Sequence, residues 1–145
     1  MRDIKFKAWD KSRNCYCKVN AIIVDLTGKT TIAYAIENRI IDIIYENIIL
    51  LQFTGLLDKN GKEVYEGDVF EISGVFSKTK SYYEVCFGSY NNEDTYEDRI
   101  SGNGWYLKKI NGECFEIREI DDLYNGSGMS VGNIYENLEL LRKVI

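Results

Sequence analysis

The sequence predicts a mainly β fold of the β-rich α+β class, on three observations. Aromatic residues make up 13% of the 145 residues, and eleven residues are tyrosines, which favours strands over helix bundles. Apolar and polar residues alternate along several short segments, and turn-forming residues separate those segments. A chain of this length buries one substantial core, so we expect a single domain over residues 1–145.

The clearest local signal lies in residues 56–70. Asp58–Gly61 is a turn signal, because Asp and Asn bond to nearby backbone groups and Gly accepts a positive φ. Apolar residues flank this turn, so the segment predicts a β-hairpin. Gly67 and Asp68 then end its second arm before another strand begins. Two strands and a sharp change of direction within about twenty residues are typical of small, strongly curved barrels, so we expect an SH3-like small barrel around residues 50–120.

The remaining elements divide into a part of packed N-terminal β-hairpins, about 1–49, and a barrel part, about 50–145. Strands are expected at Ile4–Ala8, Cys15–Val19, Ala21–Leu26, Thr30–Ile36, Ile48–Phe53, Val69–Ile72, Tyr83–Phe87, Trp105–Ile110 and Glu113–Ile120. Turns or loops are expected at Lys11–Asn14, Thr27–Lys29, Asn91–Asp98, Asn111–Gly112 and Asn125–Gly128. Glu37–Ile49 combines helical spacing with β-branched residues, and we expect a short helix or irregular turn before Ile48. Ile134–Ile145 is expected to return and close the structure.

Four segments carry a resemblance to a known family. They are Arg2–Asp10, Thr54–Val69, Gly104–Leu107 and Val131–Asn137. In this order they resemble the signature of the YopX family of phage and prophage proteins. That family usually places Pro after its final Tyr-Glu-Asn, where this chain has Leu138. The resemblance implies a mostly β phage-type protein with no established activity, and it transfers no catalytic residue.

The charge of the chain is unevenly distributed. The net charge is −5, yet residues 1–20 hold six Lys and Arg against two Asp and Glu. An acidic protein repels phosphate backbones unless its basic residues are segregated on one face, so nucleic acid is possible but disfavoured. The basic segment is interpreted as a solvated strand edge. The alternative is head-to-tail pairing with a neighbour's acidic surface.

Composition also bounds the compartment and the use of cysteine. No run of about eighteen apolar residues and no signal-peptide pattern is present, so we expect a soluble protein of the bacterial cytoplasm without membrane contact. Cys15, Cys17, Cys86 and Cys114 include one C-x-C pair and two isolated residues, and the chain has no His. Structural zinc usually needs two closely spaced ligand pairs, so reduced thiols are the preferred interpretation.

Catalytic motifs are not found in the sequence. The absence of His excludes triads and dyads that use imidazole as the base. Glu66 and Asp68 share strand parity, with Glu63 and Glu71 nearby, so a divalent metal site or acid–base pair is conceivable. Acidic residues on an exposed strand give the same pattern. We assign no catalytic, cofactor-binding or metal-binding residue and expect no cofactor.

Three aromatic residues deserve separate consideration. Trp9, Trp105 and Tyr106 have side chains suited to stacking on nucleotide bases. Core or interface packing is the commoner use of such residues.

These observations favour a phage or prophage accessory protein that is not an enzyme and acts through protein–protein contacts or self-assembly. We expect a homo-oligomer formed through exposed sheet edges, with a host or phage protein as a further partner. One alternative is a nucleic-acid-binding small barrel that uses the basic N-terminal strand with Lys5 and Lys7. A second alternative is a carboxylate- and metal-dependent enzyme.

Overall fold

The computed structural model describes residues 3–24, 26–27, 30–36, 39–42, 47–73, 80–91, 101–110, 117–120, 128–137 and 139. All eleven elements in this part of the chain are strands. They are β1 Phe6–Asp10, β2 Cys15–Val24, β3 Thr30–Ile36, β4 Arg39–Asp42, β5 Ile48–Leu57, β6 Glu63–Tyr65, β7 Asp68–Ser73, β8 Lys80–Asn91, β9 Ser101–Lys109, β10 Ile117–Glu119 and β11 Gly128–Asn133.

The mainly β class is confirmed. One sheet has the strand order β4-β3-β2-β1-β5-β6 and the other has the order β10-β9-β8-β7-β11. The pairs β1–β2, β1–β5, β2–β3, β3–β4, β7–β8, β7–β11, β8–β9 and β9–β10 are antiparallel. Contacts define two compact units, Met1–Phe53 and Thr54–Ile145, and their boundary lies within β5.

In the N-terminal unit, the period-2 pattern of β1 places one face on a small core. Ala8 lies opposite Cys17 of β2 and Leu50 of β5. Ala8 and Cys17 are buried, and Val19 and Ile48 pack against them. The alternation predicts Ala8 as a core position, but Trp9 on the opposite face is buried as well and Ile4 is exposed, so burial at the end of this strand is not confined to one face.

The turn from β1 to β2 is organised by Asp10, which is buried. Its Oδ1 accepts hydrogen bonds from Ser12 N at 2.8 Å, Ser12 Oγ at 2.5 Å and Arg13 N at 3.1 Å. Burial alone would raise the pKa of this carboxyl, but the hydrogen bonds and the Arg13 charge outweigh it and the pKa is lowered. The predicted turn at Lys11–Asn14 is confirmed.

The predicted hairpin after β5 is also confirmed, and Asp58 holds its turn. Asp58 Oδ1 accepts hydrogen bonds from Asn60 N at 2.8 Å and Lys62 N at 2.9 Å. Asp58 N in turn donates to Lys62 O at 2.8 Å. Gly61 has a φ of +78°, which explains why glycine follows Asn60 here.

In the C-terminal unit, β6 to β9 share one hydrophobic core. Alternate residues of β7, β8 and β9 point to the same face of the sheet, and Val64 of β6 packs with them. The buried cluster consists of Val64, Phe70, Ile72, Tyr83, Val85 and Leu107. This core fixes the register of β8 against β9, because a slip by one residue would expose it.

The SH3-like barrel stays a prediction. The second sheet has β10 and β11 at its two edges, so the described strands form an open sheet. The division into parts near residue 49 and the single domain also stay predictions.

One local prediction is wrong, and one strand was not predicted. Arg39–Asp42 is the strand β4, paired with β3, where a short helix or irregular turn was expected; its β-branched content prevails over its helical spacing. The strand β11 was not anticipated, because glycines at its start and near its end lower its strand propensity.

Other predictions lie outside the described residues. They are the turns at 28–29 and 111–112, the loops at 92–98 and 125–127, and the terminal segment 140–145. The part of the chain that is described contains no helix with the length and hydropathy needed to cross a bilayer.

Candidate functional site

Two polar motifs, Glu66–Asp68 and Asn133–Tyr135, meet where β7 begins and β11 ends. Asp68 and Asn133 lie 65 residues apart in sequence. Asn133 Nδ2 donates to Asp68 Oδ1 at 3.0 Å and to Glu66 O at 3.3 Å. Asp68 Oδ2 accepts from Tyr65 N at 2.9 Å, and Asn133 Oδ1 accepts from Tyr135 N at 3.0 Å. Both side chains are buried. We call these contacts the Asp68–Asn133 network.

Gly67 completes this network through its backbone. Its N–H donates to Val85 O at 2.8 Å, and its carbonyl accepts from Ile134 N at 2.9 Å. Its φ is +75°, and a Cβ at this position would lie 3.2 Å from Ile134 Cγ1. A side chain is therefore disfavoured both by conformation and by packing. The two motifs hold strands together, so their role in this chain is structural.

The carboxylates considered for catalysis have separate partners. Asp68 is occupied within the network, while Glu66 contributes its backbone carbonyl. Glu63 Oε2 accepts a hydrogen bond from a tyrosine hydroxyl at 2.7 Å. Glu71 lies 3.0 Å from Lys80 Nζ in an ion pair. Across the described ranges, no group of three or more His, Cys, Asp or Glu is arranged to hold a metal ion.

A different feature stands out on β8 and β9. These strands pair from Tyr83 and Lys109 to Asn91 and Ser101. On its other side, β8 pairs with β7 only as far as Glu84, and β9 pairs with β10 only as far as Tyr106. Beyond these residues, five β8–β9 pairs, from Phe87 with Trp105 to Asn91 with Ser101, have no third strand beside them among the described residues. We call residues 86–91 and 101–106 the aromatic ribbon.

Each face of the aromatic ribbon carries a pair of aromatic rings. On one face, Phe87 and Trp105 meet edge to face with centroids 4.9 Å apart. Phe87 remains 56% exposed, which is high for a large apolar side chain. On the other face, Tyr90 and Tyr106 have centroids 5.0 Å apart and planes tilted by 36°. The ribbon therefore carries aromatic rings on both faces, of which Phe87 is exposed and the other three are partly buried.

Gly102 leaves room for one of these rings. Gly102 lies opposite Tyr90, and a Cβ on Gly102 would approach Tyr90 Oη to 2.7 Å. The tyrosine ring thus lies directly over the backbone of the neighbouring strand. A larger residue at 102 would displace it.

The electrostatics of the ribbon favour neutral groups. Burial raises the pKa of Cys86 to about 12, and the Glu84 charge adds to the effect. Burial also raises the pKa of Tyr106 and Tyr135, with Cys86 contributing at Tyr106 and Glu84 at Tyr135. The raised pKa values favour the protonated forms of the thiol and of both phenols at neutral pH.

The three aromatic residues singled out in the sequence do not form one site. Trp9 is buried in the N-terminal unit, with its ring 4.8 Å from that of Tyr16. Trp105 and Tyr106 lie on opposite faces of the aromatic ribbon because they are consecutive in a strand. Phe87 and Tyr90 were not identified from the sequence, since only their pairing partners distinguish them from other strand aromatics.

The described cysteines are free thiols. Cys15 is exposed and Cys17 is buried. Burial, and then the proximity of Cys15, raises the pKa of Cys17 to about 11. Cys114 lies outside the described residues.

Comparisons with known proteins place the chain in a family. The family model described as YopX protein matches residues 5–142. A crystal structure of protein EF1440 from Enterococcus faecalis is similar, with 21% identity, a TM-score of 0.56, and coverage of 97% of this chain and 99% of that chain. Protein yopX from Bacillus subtilis is similar in structure, with 13% identity, a TM-score of 0.56, and coverage of 97% and 98%.

At such identities the two structures support the fold alone. A search of curated proteins gives no match. The family match covers nearly the whole sequence and includes both motifs of the Asp68–Asn133 network. This chain belongs to the YopX family.

Proposed function

We propose that this protein is a non-enzymatic phage or prophage accessory protein that acts in the bacterial cytoplasm by binding another protein through its aromatic ribbon. One observation carries the proposal: the β8–β9 pairing continues for five residue pairs past its neighbouring strands, with aromatic rings on both faces. An isolated two-stranded ribbon is marginally stable in water. A partner that covers such a ribbon would stabilise it.

The side chains of the ribbon suit recognition. Tyrosine and tryptophan combine a large apolar surface with a hydrogen-bonding group, and both are enriched at protein interfaces. Residues 86–91 and 101–106 contain no Asp, Glu, Lys or Arg, as expected for the centre of an interface. Exposed Phe87 offers the kind of apolar anchor that fills a pocket in a partner.

Catalysis has less support in the same region. Burial raises the pKa of the Cys86 thiol and of the Tyr106 phenol, which favours their protonated forms at neutral pH. Asp68 is engaged in backbone and amide hydrogen bonds. A reaction would need a group poised to gain or lose a proton near the working pH, and the ribbon supplies none among its described residues.

The test is a tagged pull-down from nuclease-treated host lysate, read by quantitative mass spectrometry. Wild type is compared with Phe87→Ser and Tyr90→Ser. Leu57→Ser is the matched control, because Leu57 is 53% exposed and lies in the same unit. The expected result is a stoichiometric protein that the control retains and that both ribbon variants lose. Equal recovery by all four proteins would contradict the proposal.

Nucleic-acid binding is the second candidate, and the N-terminal sheet favours it. Lys5 Nζ lies 5.2 Å from the Phe53 ring centroid, and Lys7 Nζ lies 5.8 Å from that of Tyr16. Lysines interleaved with aromatic rings are typical of surfaces that bind single strands. Recovery of material only when nuclease is omitted would support this candidate. Its affinity would then fall steeply with salt.

A further inference from the structure

One edge of the aromatic ribbon carries backbone groups that no described strand uses. Gly67 N donates to Val85 O on the side of β8 that faces β7. Backbone groups alternate between the two sides of a strand, so the N–H and C=O of Phe87 and Ser89 point to this same side. Among the residues that the structure describes, no strand lies there beyond Glu84. Phe87 and Ser89 therefore offer two donors and two acceptors to a further strand.

The side chains along this edge leave it accessible. Natural sheets block an exposed edge with lysine, with proline or with a β-bulge. Residues 87–90 read Phe-Gly-Ser-Tyr, and their pairing with β9 continues without a shift of register. Phe87 is 56% exposed, and Ser89 is exposed as well. We call residues 87–90 the β8 edge.

The opposite edge of the ribbon, along β9, has different side chains. Ile110 N donates to Tyr82 O of β8, so by the same alternation the backbone groups of Asn103 and Trp105 point away from β8. Trp105 is partly buried against the core, and Asn103 is polar. The β8 edge thus combines unused backbone groups with the large exposed apolar side chain of Phe87. Burial of such a side chain favours association, whereas backbone hydrogen bonds largely replace those made with water.

We infer that the β8 edge pairs antiparallel with the β8 edge of a second copy of this chain. The two-fold axis passes beside Gly88, so Phe87 of each copy lies opposite Ser89 of the other. Such a contact is isologous and closes at a dimer. The inference goes beyond the proposed function, which concerns the aromatic faces of the ribbon, because this contact uses the backbone groups of one edge.

A second copy is complementary to this edge. Two identical strands that run antiparallel about a two-fold axis match each donor of one copy with an acceptor of the other. Both halves of the interface are therefore the same described residues. The chain has a net charge of −5 and 28% charged residues, yet residues 86–91 include no Asp, Glu, Lys or Arg. Two copies can meet here without placing like charges opposite one another.

Two observations set the register. Val85 O already accepts from Gly67 N, which excludes an axis at Phe87, because that axis would pair Val85 with Ser89 of the second copy. An axis beside Gly88 brings the Phe87 rings of the two copies into diagonal contact. Gly88 then faces its own counterpart, and nothing lies within 4 Å of the position that its Cβ would take. A glycine at this point allows two backbones to approach closely.

The inference is tested first by sedimentation velocity over a range of protein concentrations. The contact is small, so we expect a weak dimer with a dissociation constant of about 10–100 µM. The mass should equal that of one chain, 16.8 kDa, at about 1 µM and should approach twice that value at about 500 µM. Because the β8 edge is uncharged, the dissociation constant should be the same at about 50 and 500 mM salt.

Proline substitutions test the edge itself. Ser89→Pro removes an N–H that points away from β9, a position at which an edge strand tolerates proline. We expect its dimer to dissociate at least about tenfold more readily. Asn103→Pro is the matched control, because it makes the same change on the opposite edge of the ribbon, and it should dimerise like wild type. Thermal melting in dilute solution should give both variants the same Tm.

A gain of affinity provides a test that loss of folding cannot imitate. Ser89→Val places a β-branched side chain opposite Phe87 of the second copy in both halves of the dimer, and such aromatic pairs stabilise a sheet. We expect the dissociation constant to fall about fivefold. Asn103→Val, the same kind of change on the opposite edge, should leave it unchanged.

Three results would overturn the inference. One is a wild-type protein that keeps the mass of a single chain at about 500 µM. Another is a dimer that Ser89→Pro does not weaken or that Asn103→Pro weakens equally. The third is a dissociation constant that rises steeply with salt, because charges would then drive the association. None of these results decides the proposed function, whose pull-down compares capture of a different protein by Phe87→Ser and Tyr90→Ser.

Discussion

The substitution Asn133→Ala tests whether the Asp68–Asn133 network holds the C-terminal unit together. Asn133 is only 2% exposed. Its amide group donates to Asp68 Oδ1 and Glu66 O and accepts from Tyr135 N. Truncation to alanine removes all of these contacts at once and leaves a buried carboxylate with one partner fewer.

The magnitude follows from the three hydrogen bonds. The bond to Asp68 involves a charged acceptor and contributes about 1.5–3 kcal/mol, and each bond to a neutral backbone group contributes about 1 kcal/mol. Allowing for relaxation, we expect the free energy of unfolding to fall by about 3–4 kcal/mol. For a chain of this size that loss corresponds to a Tm lower by about 10 °C.

The assay is urea unfolding followed by far-UV circular dichroism, with thermal melting as a second measurement. Asn103→Ala is the control, because Asn103 is exposed on β9 and its truncation is expected to change stability by less than about 0.5 kcal/mol. If Asn133→Ala differed from the control by less than about 1 kcal/mol, the network would not be a principal source of stability.

Three further predictions concern stability. Gly67→Ala is expected to destabilise the fold by about 2–4 kcal/mol, and Gly61→Ala by only about 1–2 kcal/mol. Both positions have a positive φ, but only Gly67 has neighbours within 4 Å of an added Cβ. Equal losses of stability in urea unfolding would refute the packing argument. Trp105→Phe is expected to change the free energy of unfolding by less than about 1 kcal/mol. The substitution loses apolar area, but it also removes the buried Nε1 donor, which has no hydrogen-bond partner in the described structure. A loss above about 3 kcal/mol in urea unfolding would contradict this. The carboxylate of Asp10 has a lowered pKa in the folded chain, so its ionised form stabilises the fold. This stabilisation is present above the unfolded pKa near 3.8 and is lost as the pH falls through the lower folded pKa. Asp10→Asn should therefore lower Tm at pH 7 and differ little from wild type at a pH below the folded pKa, and an equal difference at both pH values would exclude this linkage.

Local sequence signals predicted much of the fold. The hydrogen bonds that form the Asp58–Gly61 turn join residues within a span of five, so the hairpin could be predicted from the local sequence. The alternation at β1 likewise identified Ala8 as a core position. Such elements are predictable because the interactions that form them join residues close in sequence.

The aromatic ribbon could not be predicted in the same way. Gly88, Gly102 and Gly104 lower strand propensity, so Ser101–Gly104 was not assigned to a strand. Only the register of β8 with β9 extends the strands through these glycines. The Asp68–Asn133 network was equally hidden, because its partners are 65 residues apart. Long-range pairing decided both features.

The central claim is that the aromatic ribbon is a protein-binding surface. Hydroxyl-radical footprinting, read by mass spectrometry, tests it on the free protein and on its complex with the protein captured from lysate. We predict that Phe87 and Tyr90 lose most of their oxidation in the complex, while exposed Leu57 is oxidised as before. Unchanged oxidation of Phe87 and Tyr90 in a stoichiometric complex would show that the partner binds elsewhere, and the claim would be wrong.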